Sequence, residues 1–324
     1  MRVGYPFELA IEEEYICKTA NVPLQDYYRD PETMIAAQEA AAQYLENAFG
    51  LGDMVVFSPT LSSYAEASVF GLKIVFADNG DSPWPAQHSI FSSIGQACEA
   101  RPWARGGDLV TRTLAYYRAM RRSRPHLPVR IEKCVGGPIT TAVALRGQDF
   151  FLDLYDEPEA CMTFLEKITD TSMQIREKIE KAVGVPMRQT WIFDDYAGML
   201  PPDLYERFAI PCYRRIYERF GRFGRVLHSE LLHPEHLRIA KQQLDITYFN
   251  PASAQNLTIR ACREVMGEYF DWQITPQQLA VDPQQAVAFL DTVIAQKPPV
   301  ISLYPYDDTP PETLAACIRR LQSA

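Results

Sequence analysis

Residues 223–250, FGRVLHSELLHPEHLRIAKQQLDITYFN, contain the clearest structural pattern of this chain. The stretch begins with a short apolar run over 223–228 and continues with apolar residues at helical spacing over 234–243. It closes with a second β-like run over 245–250. A strand, a helix and a second strand in this order form the unit from which parallel sheets are built. The stretch therefore predicts an α/β protein.

The same alternation of strands and helices extends over the whole chain. It predicts one α/β domain over residues 1–324, folded as a (β/α)₈ TIM-type barrel. A doubly wound open sheet is the alternative, although no glycine-rich phosphate loop follows the first strand. Strands are expected near 2–9, 53–58, 128–134, 188–194, 223–228, 245–250, 268–273 and 299–304, and helices near 32–49, 107–123, 157–183, 202–220, 234–243, 255–266, 283–296 and 310–322.

Residues 72–106 interrupt this alternation. The segment 72–76, LKIVF, is β-like and predicts one arm of a hairpin. The segment 77–106 is long and rich in Pro, Gly and Ser, as is typical of functional or disordered loops. We therefore expect an extra hairpin and a long loop near 72–106, added to the barrel.

Composition excludes several classes of function. The formal net charge is −9, and the chain has no long basic block, which argues against nucleic acid as a partner. Seven cysteines, without a Cys-x-x-Cys pair, predict neither a disulfide framework nor a zinc ribbon. No apolar run approaches the roughly 18 residues of a transmembrane helix, so no membrane partner is expected. The chain is expected to be cytoplasmic and reduced.

The most informative motif is His228-Ser229-Glu230, at the end of the 223–228 run. Side chains at positions i and i+2 of a strand point to the same face. An imidazole and a carboxylate that converge at a strand end can hold a metal or transfer a proton. The alternative is a solvated histidine beside a surface glutamate.

Other polar residues also lie at predicted strand ends, where the active sites of barrels are found. Asp194 and Asp195 follow one strand, and could instead cap the helix near 202–220. Gly137 could expose its backbone N–H to a substrate oxygen, or only allow a tight chain reversal. The remaining polar ends are Cys134 with Gly136, Asn250, Gln273, Tyr304, and the pair Asp307 and Asp308, which could form an ordinary turn.

A set of motifs along nearly the whole chain resembles one enzyme superfamily. The motifs are YYRDPE at 27–32, GPITTA at 137–142 running to LDLYDEPE at 152–159, DDYAG at 194–198 with PPDLY at 201–205, P-x-Y-x-R-I at 211–216, the His228 strand, and PPET at 310–313. Together they resemble the uroporphyrinogen decarboxylase superfamily. The resemblance implies a barrel shared by decarboxylases and corrinoid-linked methyltransferases.

Two departures separate the chain from the decarboxylases it resembles. Their N-terminal Arg-Gln-Ala-Gly-Arg-Tyr segment, which grips porphyrinogen carboxylates, is replaced by PFELAIEE at 6–13. Their histidine after the final strand is replaced by Tyr304-Pro305-Tyr306. An anionic tetrapyrrole would also meet like charge at the first strand end, at Glu8, Glu12, Glu13 and Glu14. The chain is therefore more similar to the methyltransferase branch.

The methyltransferase resemblance implies a metal site. Thiol-methylating members bind zinc through His-x-Cys and a late Cys. Here Glu230 stands at the first Cys position, and Asp307 falls near the late one. The resemblance thus implies zinc held by His228, Glu230 and Asp307. This oxygen-rich set suits an O-methyl donor, such as methanol or a methoxy-arene, better than a thiol.

The expected activity is transfer of a methyl group from an O-methyl donor to cob(I)alamin, carried by a partner corrinoid protein. Glu230 would hold the metal or donate a proton, while Asp194 or Asp195 would position the donor or orient His228. A homodimer is compatible with the chain. The alternatives are a metal-free decarboxylase or lyase with Asp194 as proton handler, and a barrel that only binds a ligand. Expected substrate contacts are Phe57, Gly137, Tyr196, Phe249, Trp272 and Tyr304.

Overall fold

The computed structural model describes residues 4–76, 82–104, 106, 108–131 and 136–324. Short strands alternate with longer helices, as the sequence predicts. The strands are β1 (Phe7–Leu9), β2 (Ile74–Val75), β3 (Trp84–Pro85), β4 (Thr190–Phe193), β5 (Arg225–His228), β6 (Tyr248–Asn250), β7 (Asp271–Ile274) and β8 (Val300–Leu303).

The helices surround these strands, and α9 is the longest of those described. The bounds are α1 (Glu13–Ala20), α2 (Leu24–Arg29), α3 (Pro31–Phe49), α4 (Ala65–Val69), α5 (Ile94–Glu99), α6 (Leu109–Ser123), α7 (Pro138–Arg146), α8 (Phe150–Asp156), α9 (Pro158–Val183), α10 (Pro202–Leu204), α11 (Ile210–Phe220), α12 (Pro234–Leu244), α13 (Ile259–Met266), α14 (Pro276–Leu279), α15 (Pro283–Ile294) and α16 (Pro311–Ser323). A π-helical turn, Tyr205–Ala209, joins α10 to α11, so the helix predicted at 202–220 is interrupted.

Two three-stranded parallel sheets form the centre of the fold. One has the order β4-β5-β6 and the other the order β1-β8-β7. A parallel bridge between Phe249 and Phe270 links the two sheets, and a second bridge from Gly136 to Phe193 extends the β4 edge. The α/β class and the parallel pairing are therefore confirmed. The described strands form an open arc, and no closed barrel is described in these residues.

The strand predicted at 53–58 is not formed. A short 3₁₀ turn, Gly52–Met54, occupies its first half. The second half is extended, and the Arg130 backbone N–H donates to the Phe57 carbonyl oxygen at 2.9 Å. The neighbouring strand predicted at 128–134 runs into residues 132–135, including Cys134, which lie outside the described residues.

The predicted hairpin near 72–106 is present, because β2 and β3 pair antiparallel. The predicted long loop is partly wrong, because α5 lies within it. Ser93 is the N-cap of α5, and its hydroxyl accepts a hydrogen bond from the Gln96 backbone N–H at 3.2 Å. A Ser at this position is a helix-start signal, and the Pro, Gly and Ser content of the segment obscures it.

The core lies between the sheet and the helices. Val226 and Leu227, adjacent on β5, are both buried, as expected for a parallel strand covered on both faces. The arc ends at β1, which pairs in parallel with β8, so that Phe7 aligns with Ile301. Among the described helices, none is both long and apolar enough to cross a membrane.

Candidate active site

The register of three strands brings the candidate residues together. Phe193 at the end of β4 aligns with His228 at the end of β5, which aligns with Asn250 at the end of β6. Residues aligned across neighbouring parallel strands lie about 4.8 Å apart along the sheet. The three side chains therefore form a row at the carboxyl edge of the sheet.

The His228 ring has two fixed neighbours, Asn250 and Phe193, and is partly exposed to solvent. Its Nδ1 lies 2.5 Å from Oδ1 of Asn250. The ring packs against Phe193, with 4.8 Å between the ring centroids. Its Nε2 lies 3.8 Å from Oδ1 of Asp195, and the side chain is 18% exposed. This arrangement presents Nε2 next to a carboxylate at a solvent-accessible edge.

Asp195 is fixed by the backbone of the His-x-Glu motif. Its Oδ1 accepts a hydrogen bond from the Glu230 N–H at 2.9 Å, and its side chain is 39% exposed. The strand alternation that predicted convergence of His228 and Glu230 ends at His228, because Ser229 and Glu230 leave the strand. Asp195 therefore supplies the carboxylate that the sequence assigned to Glu230.

Asp194, one residue earlier, is fully buried and accepts four hydrogen bonds from other parts of the protein. Its Oδ1 accepts from the Thr140 N–H and hydroxyl, both at 2.7 Å. Its Oδ2 accepts from the Ile139 N–H at 3.1 Å and the Tyr213 hydroxyl at 2.8 Å. Burial raises the pKa of Asp194 to about 6, and the hydrogen bonds oppose the rise. Asp194 thus caps α7, and the capping alternative is right in kind but names the wrong helix.

Position 137 requires glycine, because the Asp194 side chain leaves no room for a Cβ atom there. A Cβ at Gly137 would lie 2.1 Å from both Cβ and Cγ of Asp194. The Gly137 N–H donates to the Phe193 carbonyl oxygen at 2.7 Å, so it is engaged and does not serve a substrate oxygen. The chain-reversal alternative therefore describes Gly137 better than the oxygen-binding one.

A second buried carboxyl, Asp271, lies behind His228. The Asn250 side chain donates through Nδ2 to Oδ2 of Asp271 at 2.7 Å. Burial raises the pKa of Asp271 to about 7; the Glu8 charge adds to the rise, and the Asn250 and Tyr248 side chains oppose it. The sequence prediction missed Asp271. Its signal is the alternation in β7, where Asp271 and Gln273 are polar, buried and on one face.

The predicted metal ligands do not come together. Asp307 is exposed in a turn in which the Tyr306 N–H donates to the Thr309 hydroxyl at 2.9 Å. Among the described residues, no group of three or more His, Cys, Asp or Glu side chains could hold a metal ion. The set of His228, Glu230 and Asp307 does not fit zinc in this arrangement.

The predicted substrate contacts are scattered. Phe249 is fully buried, so its ring offers no surface to a ligand. Phe57 lines a groove beside α3, together with Glu39 and Leu127. Tyr304 is half-buried, and burial together with Glu12, Glu13 and Glu14 raises its pKa.

Aromatic surface is nevertheless present beside His228. Phe193 stacks on Trp191 with ring centroids 5.6 Å apart and planes within 16°. Tyr196, next to Asp195, is 40% exposed, whereas Trp272 is half-buried and lies on the face of β7 opposite to Asp271. Of the predicted contacts, Tyr196 is the one that follows the Asp194-Asp195 pair directly. The row of Trp191, Phe193 and His228 was not predicted as a substrate surface.

Comparison with known families agrees with the motif pattern. The family model described as Uroporphyrinogen decarboxylase (URO-D) matches residues 10–267. The chain belongs to the uroporphyrinogen decarboxylase family. The match includes Asp195, His228 and Asn250 but ends before Asp271. The predicted superfamily is therefore confirmed.

One curated relative and one solved structure add detail. A protein from Syntrophotalea carbinolica (strain DSM 2380 / NBRC 103641 / GraBd1), named Uroporphyrinogen decarboxylase, is 33% identical over 96 residues. That alignment covers 28% of this chain and 27% of the relative, little more than a quarter of its length. The methyltransferase from Methanosarcina mazei is 16% identical, with a TM-score of 0.68 over 99% of this chain and 94% of that one. The likeness shows that the two share a fold.

Proposed function

We propose that this uroporphyrinogen decarboxylase family member is a methyltransferase. It moves a methyl group from an O-methyl donor to cob(I)alamin carried by a separate corrinoid protein. In this proposal the arc of strands is part of an eight-stranded barrel. The observation that carries the proposal is the pairing of His228 Nε2 with the Asp195 carboxylate, 3.8 Å apart at the open edge of the sheet. This pair supplies the acid that an ether or alcohol donor needs.

The proposed chemistry depends on the leaving oxygen. An alkoxide or phenoxide leaves poorly, so proton donation to the oxygen as the carbon–oxygen bond breaks lowers the barrier. Protonated His228 would give its Nε2 proton to that oxygen, while the methyl carbon bonds to the cobalt nucleophile. The products are an alcohol or phenol and a methylated corrinoid. Asp195 would stabilise the protonated ring before the transfer.

The surroundings of the pair support an uncharged donor. Glu8 on β1 raises the pKa of Asp271 through its charge, and desolvation raises the pKa of Glu8 itself, while a hydrogen bond with Ser302 opposes that rise. Glu8, Asp195 and Asp271 give the surroundings of His228 an acidic character. A polyanionic substrate would be repelled, whereas a methoxy-arene could pack on the flat face of Phe193 and Trp191. The shared fold with a methyltransferase is consistent with this proposal.

A second candidate is decarboxylation of a small carboxylate. The relative named Uroporphyrinogen decarboxylase favours this reading, although the alignment covers only 27% of that protein. Asp194 was the expected proton handler in that reaction. Its four hydrogen bonds and complete burial make it unsuited to contact a substrate. The decarboxylase candidate would therefore also have to use His228.

The test is an assay with purified protein, a corrinoid protein reduced to cob(I)alamin, and a panel of methoxy-arenes and methanol. We expect methylcobalamin to form, and His228→Ala to slow its formation by roughly 10²–10⁴-fold, as is usual for the loss of a general acid. The exposed Asp307→Asn variant is the control and should keep wild-type activity. Full activity in His228→Ala would overturn the assignment. Release of CO₂ from a carboxylate without any corrinoid protein would instead favour the second candidate.

A further inference from the structure

We infer that Asp271 is a positioning residue, which acts through Asn250 to hold His228 in the tautomer with its proton on Nδ1. The consequence is that Nε2, the atom facing Asp195, keeps its lone pair in the resting protein. The functional meaning of the inference rests on the proposed role of His228 as proton donor. The structural part stands by itself.

The first step is the contact between Asp271 and Asn250. An ionised carboxylate has only acceptor atoms, so it must face the amide nitrogen of Asn250 and not the amide oxygen. The structure has this orientation, with Nδ2 of Asn250 2.7 Å from Oδ2 of Asp271. The reverse orientation would bring an oxygen acceptor against the fully buried Asp271 carboxylate, which is costly.

The orientation of the Asn250 carboxamide determines which atom faces the His228 ring. Because the carboxamide is planar, its oxygen points away from Asp271 and toward Nδ1 of His228, 2.5 Å away. An amide oxygen can only accept, so Nδ1 must be the donor. A neutral imidazole carries one proton, which leaves Nε2 unprotonated and able to take up a second proton.

Strand pairing holds His228, Asn250 and Asp271 at fixed positions. His228 and Asn250 are register partners, and the Ser229 N–H donates to the Asn250 carbonyl oxygen at 3.2 Å. Asp271 follows Phe270, which bridges to Phe249 on the adjacent strand. All three residues therefore stand on paired strands, where backbone hydrogen bonds fix their spacing. The groups that act on Asp271 are Tyr248 and Asn250 on β6, Glu8 on β1 and the Cys262 thiol on α13.

The experiment is nitrogen NMR of protein labelled with ¹⁵N-histidine, at pH 8, where a carboxyl with a pKa of about 7 is mostly ionised. A His228→Gln sample identifies the His228 signals. We expect Nδ1 of His228 to be protonated and Nε2 to be unprotonated. A wild-type protein with the proton on Nε2 would overturn the inference.

The decisive variant is Asp271→Asn. Its amide can donate to the oxygen of Asn250, which lets the Asn250 carboxamide turn and present Nδ2 to His228. We expect the His228 proton to move to Nε2, while the signals of the other four histidines stay in place and report an intact fold. Asp195→Asn is the matched control and should keep the proton on Nδ1. If Asp271→Asn does not fold, Asn250→Ala removes both contacts and should also deplete the Nδ1-protonated form.

An unchanged tautomer in a folded Asp271→Asn or Asn250→Ala protein would overturn the inference. In the methyl-transfer assay we expect Asp271→Asn to lower kcat by about 10–100-fold with little change in KM, the size of effect found for residues that orient histidines in metal sites. The NMR result is independent of activity. If the tautomer is as inferred but no methyl transfer occurs, the proposed function fails and the positioning role remains.

Discussion

Two buried carboxyls, Asp194 after the end of β4 and Asp271 at the start of β7, have different consequences. Asp194 accepts four hydrogen bonds, from Ile139, Thr140 and Tyr213, and three of the four come from the first turn of α7. Asp271 contacts Asn250, whose other end reaches His228. Burial raises both pKa values, to about 6 for Asp194 and about 7 for Asp271.

The comparison teaches that a raised carboxyl pKa does not identify a functional group. Both carboxyls are fully buried, and both would be selected by a search for perturbed acids. The two carboxyls differ in what their hydrogen-bond partners contact in turn. The partners of Asp194 belong to a helix start, whereas the partner of Asp271 touches the histidine of the candidate site.

The largest expected effect that tests this contrast is on stability, in Asp194→Ala. The substitution leaves two backbone N–H groups and two hydroxyls without an acceptor in a dry environment. We expect the free energy of unfolding to fall by about 3–5 kcal/mol in urea denaturation. Asp195→Ala, which loses a half-exposed carboxylate with one backbone donor, should cost about 1 kcal/mol. Equal losses in the two variants would contradict the structural role of Asp194.

A third buried carboxyl, Glu66, extends the comparison to pH. It accepts a hydrogen bond from the Gly136 N–H at 2.7 Å, and burial raises its pKa from the ordinary 4.5 to about 7. Between pH 4.5 and 7 the unfolded chain releases this proton while the folded chain keeps it. Glu66 therefore makes wild-type stability fall as pH rises, by about 3 kcal/mol at pH 7 relative to pH 4.

The measurement for Glu66 is the difference in unfolding free energy between wild type and Glu66→Gln from pH 4 to 8. The glutamine keeps an oxygen for Gly136 but does not ionise. The difference should shift in favour of the variant up to pH 7 and then stay level. A constant difference from pH 4 to 8 would show that Glu66 ionises as readily in the folded protein as in the unfolded chain.

The smallest effect concerns the backbone next to Asp194. In Gly137→Ala the new Cβ must push Asp194 away from α7, and we expect a loss of about 2 kcal/mol in urea denaturation. Gly95→Ala in α5 is the matched control, because its nearest neighbour would be the Ser93 hydroxyl at 3.9 Å. Alanine there should be neutral or stabilise by about 0.5–1 kcal/mol. A neutral Gly137→Ala would show that Asp194 can retreat at little cost.

The sequence predicted the features that depend on local patterns. The α/β class follows from periodicity, and the His228 strand end follows from an apolar run with a polar stop. The choice between Asp194 and Asp195 could not be predicted, because it depends on where β4 ends and α7 begins. Asp271 was missed because its contact with Asn250 depends on the register of β6 against β7, which no local pattern reports.

The placements of Glu230 and Asp307 both concern residues that follow a strand. Glu230 was expected beside His228 from strand alternation, although the predicted strand ends at His228, and in the structure Ser229 and Glu230 lie beyond β5. Asp307 was placed by counting from a downstream motif, and the chain forms an exposed turn there. In both cases the placement depended on the backbone path that follows a strand, which no local pattern reports.

The pairing of β1 with β8 has a consequence for how the chain acquires its fold. Residues 7–9 have their sheet partners at 301–303. During synthesis on the ribosome, β1 therefore stays unpaired until β8 has been made. Contacts so distant in sequence close slowly, and the unpaired strand edge is a place where nascent chains associate wrongly. The sheet β4-β5-β6, whose partners follow one another closely, can assemble first and offer a template. The last strands to emerge then complete the arc.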